Sequence, residues 1–242
     1  MKIKKLMFIF FLISSCLSFG QESVGKWDYP IKPGTEEWKQ FQRTIDMIEA
    51  CQIPDSVLQN ISTNYLMILC LQYPLIRGVF AFDNINIGLE KFFNDFNGIR
   101  ELAKREDAVN ALSEQYLSKI RNFSEMLKTS PDFNIWYYNV ECISILELIV
   151  TYSNFHTNAS KEDQKKLLGS LWIGYNEKIK NSEHFSGQGF TTNLFARAHV
   201  IIKIDTVLSE KFEGRNKVVL FSGMANADLI NTIDSLSYNL AK

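Results

Sequence analysis

Leu89, Phe92, Phe93, Phe96, Ile99 and Leu102 recur three and four positions apart, the spacing that puts side chains on one face of an α-helix. Asp83 opens this run and Lys104-Arg105 close it, with cations suited to the negative C-terminal end. The pattern predicts one helix across the whole stretch. Asp107 opens a second through Ala108, Leu112, Tyr116, Leu117 and Ile120, and Pro131 or Asp132 begins an apolar helix reaching about Phe155. Ser160, with Asp163 three residues on, forms a variant capping box for Leu167, Leu168, Leu171, Trp172 and Tyr175. Thr191 or Thr192 starts Leu194, Phe195, Ala198, Ile201, Ile202 and Leu208. A last helix runs over roughly 224–240 through Leu229, Ile233, Leu236 and Leu240.

Shorter helices precede these. Thr35 caps one that begins Glu36-Glu37-Trp38, with acids in the positive first turn. Ile45 to Ala50 forms another, and Pro54 sits at the first turn of a third over 54–60. Ser62 caps a fourth, carrying Tyr65, Leu66, Leu69 and Tyr73 and stopped by Pro74. Strand-like character is confined to Val218-Val219-Leu220-Phe221, too short for a sheet. The fold predicted is all-α: a bundle, or an irregular superhelix of antiparallel helical hairpins. Residues 36–242 read as a single helical domain, with 36–80 as a candidate subdomain.

The N-terminus has a different pattern. Lys2, Lys4 and Lys5 precede an unbroken apolar run from Leu6 to Ile13, and Ser18-Phe19-Gly20 fits a small-x-small cleavage site before Gln21. Residues 1–20 therefore read as an export signal, shorter than the roughly 20 apolar residues of a permanent span. Ile13-Ser14-Ser15-Cys16 carries a competing reading, a lipobox in which Cys16 is lipidated and holds the chain on the cell envelope. Leu17-Ser18-Phe19 continues apolar past that cysteine, which favours soluble export to the periplasm or the medium. Residues 21–35 contain Pro30, Pro33 and Gly34 and read as an extended arm that pins Trp27 and Tyr29 onto the body. Those two aromatics are candidate binding residues, because such an arm either fills a groove or leaves it to a partner.

Charge narrows the choice of partner. The chain has 26 basic and 27 acidic residues, and loss of residues 1–20 leaves 23 basic against 27 acidic. Without a basic surplus, nucleic acid is excluded as the main partner. No transmembrane helix is expected in the mature chain, since Glu141 and Glu147 interrupt its most apolar helix.

The chain carries few residues in patterns that chemistry requires. His156, His184 and His199 are not paired at helical spacing, and neither HExxH, GxxxxGK[ST] nor GxSxG occurs. No catalytic residue, metal or cofactor is predicted. Cys70 and Cys142 lie in apolar runs and read as small buried hydrophobes. A Cys51–Cys70 disulfide is the one bridge considered, because export permits it. Glu183-His184-Phe185-Ser186-Gly187-Gln188-Gly189 gathers an acid, a histidine and a hydroxyl. Triad members come from separate elements, so this patch reads as a polar glycine-rich turn.

Three charged residues are candidate binding groups. At about 100° per residue, Glu141 and Glu147 stand about 240° apart on the helix, with Ser144, Thr151 and Asn154 between or beside them. They read as a polar stripe facing solvent or a groove, the alternative being the lining of a ligand cleft. Arg197 falls at about 300° when Leu194 is set to zero, beside the apolar face. A charge there needs a carboxylate or helix-end carbonyls as partner. It reads as a structural tie, with a ligand-carboxylate clamp as the sharper alternative. Trp136-Tyr137-Tyr138, Trp172 and Tyr175 raise a carbohydrate-stacking surface, although helical spacing assigns most of them to the core.

Tyr29-Pro30-Ile31-Lys32-Pro33-Gly34-Thr35-Glu36-Glu37-Trp38, Ala50-Cys51-Gln52-Ile53-Pro54, Leu71-Gln72-Tyr73-Pro74-Leu75 and Phe93-Asn94-Asp95-Phe96-Asn97-Gly98-Ile99 are distinctive runs. Together they resemble a group of uncharacterised exported bacterial proteins, Bacteroidetes-like in their signal peptides. The resemblance covers roughly residues 29–105. It implies an exported helical protein and carries over no catalytic residue. The function expected is that of an exported helical interaction protein binding a protein or peptide. The alternative is an envelope-associated hydrolase of glycan or peptide that uses helix-borne carboxylates such as Glu141 or Glu147.

Overall fold

The computed structural model describes residues 27–129, 133–152, 155, 158–185, 187–204 and 227–241. Among them the chain is all-α, as the apolar spacing predicts. The first helices are α1 (Glu36–Lys39), α2 (Thr44–Ala50), α3 (Asp55–Leu58) and α4 (Thr63–Leu71), followed by a 3₁₀ turn at Ile76–Phe80. Then come α5 (Ile85–Asp95), α6 (Asn97–Leu102), α7 (Ala108–Thr129), α8 (Phe133–Thr151) and α9 (Lys161–Lys180). A second 3₁₀ turn at Ser182–His184 leads to α10 (Gly187–Ile204), and α11 (Ala227–Leu240) ends the chain. The export signal, Cys16, His156 and Val218–Phe221 lie outside the described residues. No described helix is long and apolar enough to cross a membrane.

The predicted caps are in place. Thr35 accepts from the Trp38 N–H at 3.2 Å and Ser62 from the Tyr65 N–H at 3.2 Å. Ser160 accepts from the Asp163 N–H at 3.1 Å and donates to the Asp163 carboxylate at 2.6 Å. Each side-chain oxygen satisfies a helix-end donor that would otherwise lack a partner.

The helix expected over 54–60 ends at Leu58 and the one expected to about Phe155 ends at Thr151, and two larger differences have identifiable causes. The single helix predicted over 83–105 starts after Asn84, which caps it, and divides at Phe96, whose backbone is extended (φ −116°, ψ 121°). A distant segment makes the break. Asn97 donates to Ile53 O at 2.7 Å and accepts from Ile53 N at 3.0 Å, while Gln52 accepts from Asn97 N at 3.0 Å and donates to Asp95 O at 2.9 Å. The groups exposed by the break are thereby paired. Arg105 also reaches beyond its own helix: besides lying 3.6 Å from Glu101, it donates to Leu58 O at 2.6 Å and Ile61 O at 2.9 Å, at and just past the end of α3. The second difference is the start of α10, at Gly187 rather than at Thr191 or Thr192. The glycines belong to a helical first turn, and a Cβ on Gly189 would stand 3.3 Å from the Phe185 ring.

α7 packs against α8 and α9, α10 against α8 and α9, and α11 across α9 and α10. Tyr116 meets Glu147 and, farther along, Met126 meets Asn139, so α7 and α8 run in opposite directions. α4 packs on α7 and joins the N-terminal helices to this body. The described part of the arm, from Trp27 on, packs on the body: Tyr29 is buried and donates to Leu69 O at 2.8 Å, and Tyr65 donates to Trp27 O at 2.9 Å. Tyr29, Tyr73, Phe92 and Phe96 form an aromatic cluster beneath it.

Candidate functional site

The most concentrated polar chemistry among the described residues lies inside the helical body. Glu147 sits in Ile145-Leu146-Glu147-Leu148-Ile149, and all five are buried. Every residue of α8 from Cys142 to Thr151 is buried, a stretch enclosed on all sides, so its one acid must find partners within the protein.

Four side chains from three helices supply them. Glu147 Oε1 accepts from Tyr116 Oη at 2.7 Å, from Lys178 Nζ at 2.7 Å and from Asn193 Nδ2 at 3.0 Å. Its Oε2 accepts from Lys178 Nζ at 2.7 Å and from Thr192 Oγ1 at 2.6 Å. Lys178 spends its third donor on Gly189 O at 2.7 Å. Glu147, Lys178, Asn193 and Tyr116 are wholly shielded from water, each at 0% exposure. Burial pulls the Lys178 ammonium below the ordinary lysine range against the opposing pull of Glu147, and the Arg197 charge adds to the lowering. Burial lifts the Tyr116 phenol well above its ordinary value, and the neighbouring Glu147 charge adds to this.

The network continues outward through Arg197. Its Nε donates to Asn193 Oδ1 at 2.9 Å, and its Nη1 donates to Asp234 Oδ1 at 2.7 Å and Ser237 Oγ at 3.2 Å. The guanidinium carbon stands 4.1 Å from the Tyr175 ring centroid and 5.5 Å from that of Trp172, within cation–π range. Tyr175 in turn donates to Asp234 Oδ2 at 3.1 Å. Lys178 and Arg197 balance Glu147 and Asp234. One chain of polar contacts thus links α7, α8, α9, α10 and α11.

This geometry corrects the reading of Glu141 and Glu147 as one stripe toward solvent or a groove. The angle between them separates the two acids rather than aligning them. Glu141 lies near the surface and accepts from Arg77 Nε at 3.0 Å, tying α8 to the first 3₁₀ turn. Glu147 faces the interior beside Ser144 and Thr151, which are also buried. Arg197 takes the carboxylate partner its position demands, and in the structure that partner is Asp234.

The other candidates sit apart from this network. Trp27 and Tyr29 belong to the pinned arm. Cys51, Cys70 and Cys142 are all buried, and the Cys51–Cys70 bridge is not formed. Burial lifts Cys51 to about 11 and raises Cys70 as well, which disfavours the reactive thiolate. In the glycine-rich patch, His184 lies beside the Phe123 ring and 3.4 Å from Glu183, and Ser186 is outside the described residues. Trp172 and Tyr175 flank Arg197, and the side chains of Trp136, Tyr137 and Tyr138 lie outside what is described.

Sequence reasoning missed Lys178, Asn193, Thr192, Tyr116 and Asp234. Lys178 carried a signal, because it falls four residues after Gly174 and seven after Leu171, on the buried stripe of α9. Asn193 carried another, one turn before Arg197 on the same face. What the network can do chemically follows from its closure. Each Glu147 oxygen already accepts at least two hydrogen bonds, and Lys178 has spent all three donors. Neither group is left to exchange a proton with a substrate; both hold helices together. No family model, no curated protein and no solved structure matches this chain.

Proposed function

We propose that the protein is an exported helical interaction module that binds a protein or peptide segment. The observation that carries this reading is the sealing of Glu147. Of the two carboxylates on which a hydrolase reading would lean, Glu147 is fully buried and engaged by four side chains, and Glu141 is paired with Arg77. A general acid or base must reach its substrate directly or through one water. Arg197 is likewise committed to Asn193 and Asp234. Among the exposed charged residues of the long helices stand a few large apolar and aromatic side chains: Ile173 and Ile179 on α9 and Tyr238 on α11 are each about half exposed. Side chains of this kind anchor partner segments when they cluster on helix faces. Export rests on the order of basic start, apolar run and small-residue exit in residues 1–20, with lipidation of Cys16 as the variant that would hold the module on the envelope.

The test uses residues 21–242 in two assays. Affinity capture from the native envelope fraction is expected to retain a partner that Ile173→Glu or Ile179→Glu releases. Incubation with a panel of glycans and peptides is expected to give no turnover. Hydrolysis that disappears in Glu141→Gln or Glu147→Gln would overturn the reading in favour of an enzyme.

A further inference from the structure

α11 is the one described helix beyond α10, and residues 205–226 separate the two in sequence. It lies across α9 and α10 through Leu229, Ile233 and Ser237, with Leu236 and Leu240 packed at the edge of the core. This is the geometry of an amphipathic helix in a groove, with apolar anchors at one-turn and two-turn spacing. Its polar key is Asp234 and Ser237, both meeting Arg197.

Three features distinguish this helix from a fixed part of the bundle. First, the inner network closes without it: Glu147, Lys178, Tyr116, Thr192 and Asn193 complete their contacts on α7, α8, α9 and α10 alone. Arg197 would stay in position without α11, because its Nε is bound to Asn193 and its face is stacked on Tyr175. Second, the fit of α11 is incomplete. Arg197 Nη2 is buried and has no hydrogen-bond partner among the described residues, so Asp234 engages only one side of the guanidinium fork. A buried donor left unpaired is costly, and a carboxylate that took both Nη atoms would bind better. Third, the Asp234 carboxylate lies at the rim of the contact, with 26% of its side chain exposed. Water can therefore compete there.

We infer that the α9–α10 groove is a receptor for an acidic amphipathic helix, and that α11 is its resident, exchangeable occupant. The partner is a helix with apolar residues on one face and a carboxylate placed to chelate Arg197. This inference rests on the interaction-module reading and names the kind of partner for it.

The experiment uses the full mature chain carrying Asp234→Lys, which sets like charge against Arg197 and disfavours the native occupant. The probe is a fluorescently labelled peptide of residues 227–241, followed by anisotropy. The inference predicts saturable binding, weakened about tenfold or more when the peptide carries Asp234→Asn, and retained or tightened when it carries Asp234→Glu. Equal affinity of the Asn peptide, or no saturation by a variant that keeps native near-UV dichroism, would overturn it. Should the variant fail to fold, native-state hydrogen exchange on the unaltered chain decides. Release of the α11 amides as a group ahead of α7–α10 supports the inference, and their release only with global unfolding overturns it. A captured partner that leaves this groove untouched would sink the inference and spare the broader reading. Turnover dependent on Glu141 would sink the broader reading even if the peptide binds.

Discussion

Gly174 of α9 lies so close to Tyr116 of α7 that a Cβ on the glycine would stand 2.0 Å from the phenol oxygen. The missing side chain lets the two helices approach until Tyr116 reaches Glu147. Gly88 is in a similar position, where a Cβ would meet Val79 O at 2.1 Å. Gly169, also on α9, has its nearest neighbour at 3.8 Å. Gly174→Ala and Gly88→Ala are each expected to cost on the order of 1–3 kcal/mol through overpacking. Gly169→Ala is expected to be neutral or to add up to about 1 kcal/mol from helix propensity. Urea denaturation of the three variants checks the ranking.

Alkaline pH should weaken the fold. Burial raises the phenols of Tyr29, Tyr73, Tyr116 and Tyr175 above the ordinary 10.0, lifts Cys51 to about 11 and raises Cys70 above the ordinary 9.0. The unfolded chain gives up these protons first. The stability they contribute is intact below about pH 9 and is lost as pH climbs beyond it. Lys178 works in the opposite sense: its folded pKa is lowered, so its share recovers as pH rises toward the unfolded lysine value. Six raised groups outweigh the one lowered group. Denaturation midpoints should fall steadily above about pH 9, with the tyrosinate absorbance of the buried phenols appearing together with unfolding rather than before it.

The Phe96 break gives a third test. Asn97→Ala removes both side-chain bonds to the Ile53 peptide and leaves that N–H and C=O without them. A loss of about 2 kcal/mol is expected from stranding two part-buried backbone groups. Hydrogen exchange should show it first at Ile53 and Asn97, with α8 and α10 unaffected.

How far the sequence reveals this molecule depends on the range of the interactions involved. The caps at Thr35, Ser62 and Ser160 are local, between residues three apart, and are legible. The break at Phe96 is not, because Phe92, Phe93, Phe96 and Ile99 keep helical spacing straight through it and the cause lies in Gln52 and Ile53. Gly187 opens α10 although glycine is a poor helix former; Phe185 and the Lys178 bond to Gly189 O hold that turn through contacts absent from any local pattern. The buried site was half legible. Arg197 announced its need for a carboxylate by its place on the helix, but nothing local named Asp234. Glu147 was visible as an acid in an apolar run, while its inward direction depends on Lys178 arriving from another helix.

The central claim is that Glu147 and Lys178 tie the helices together rather than act on a substrate. A double-mutant cycle in urea on Glu147→Gln, Lys178→Met and the combined variant tests it most directly. The account predicts a loss of about 3–5 kcal/mol for each single change, because each strands a buried partner, and a combined cost well below the sum. Single variants within about 0.5 kcal/mol of the parent, or losses that simply add, would contradict it.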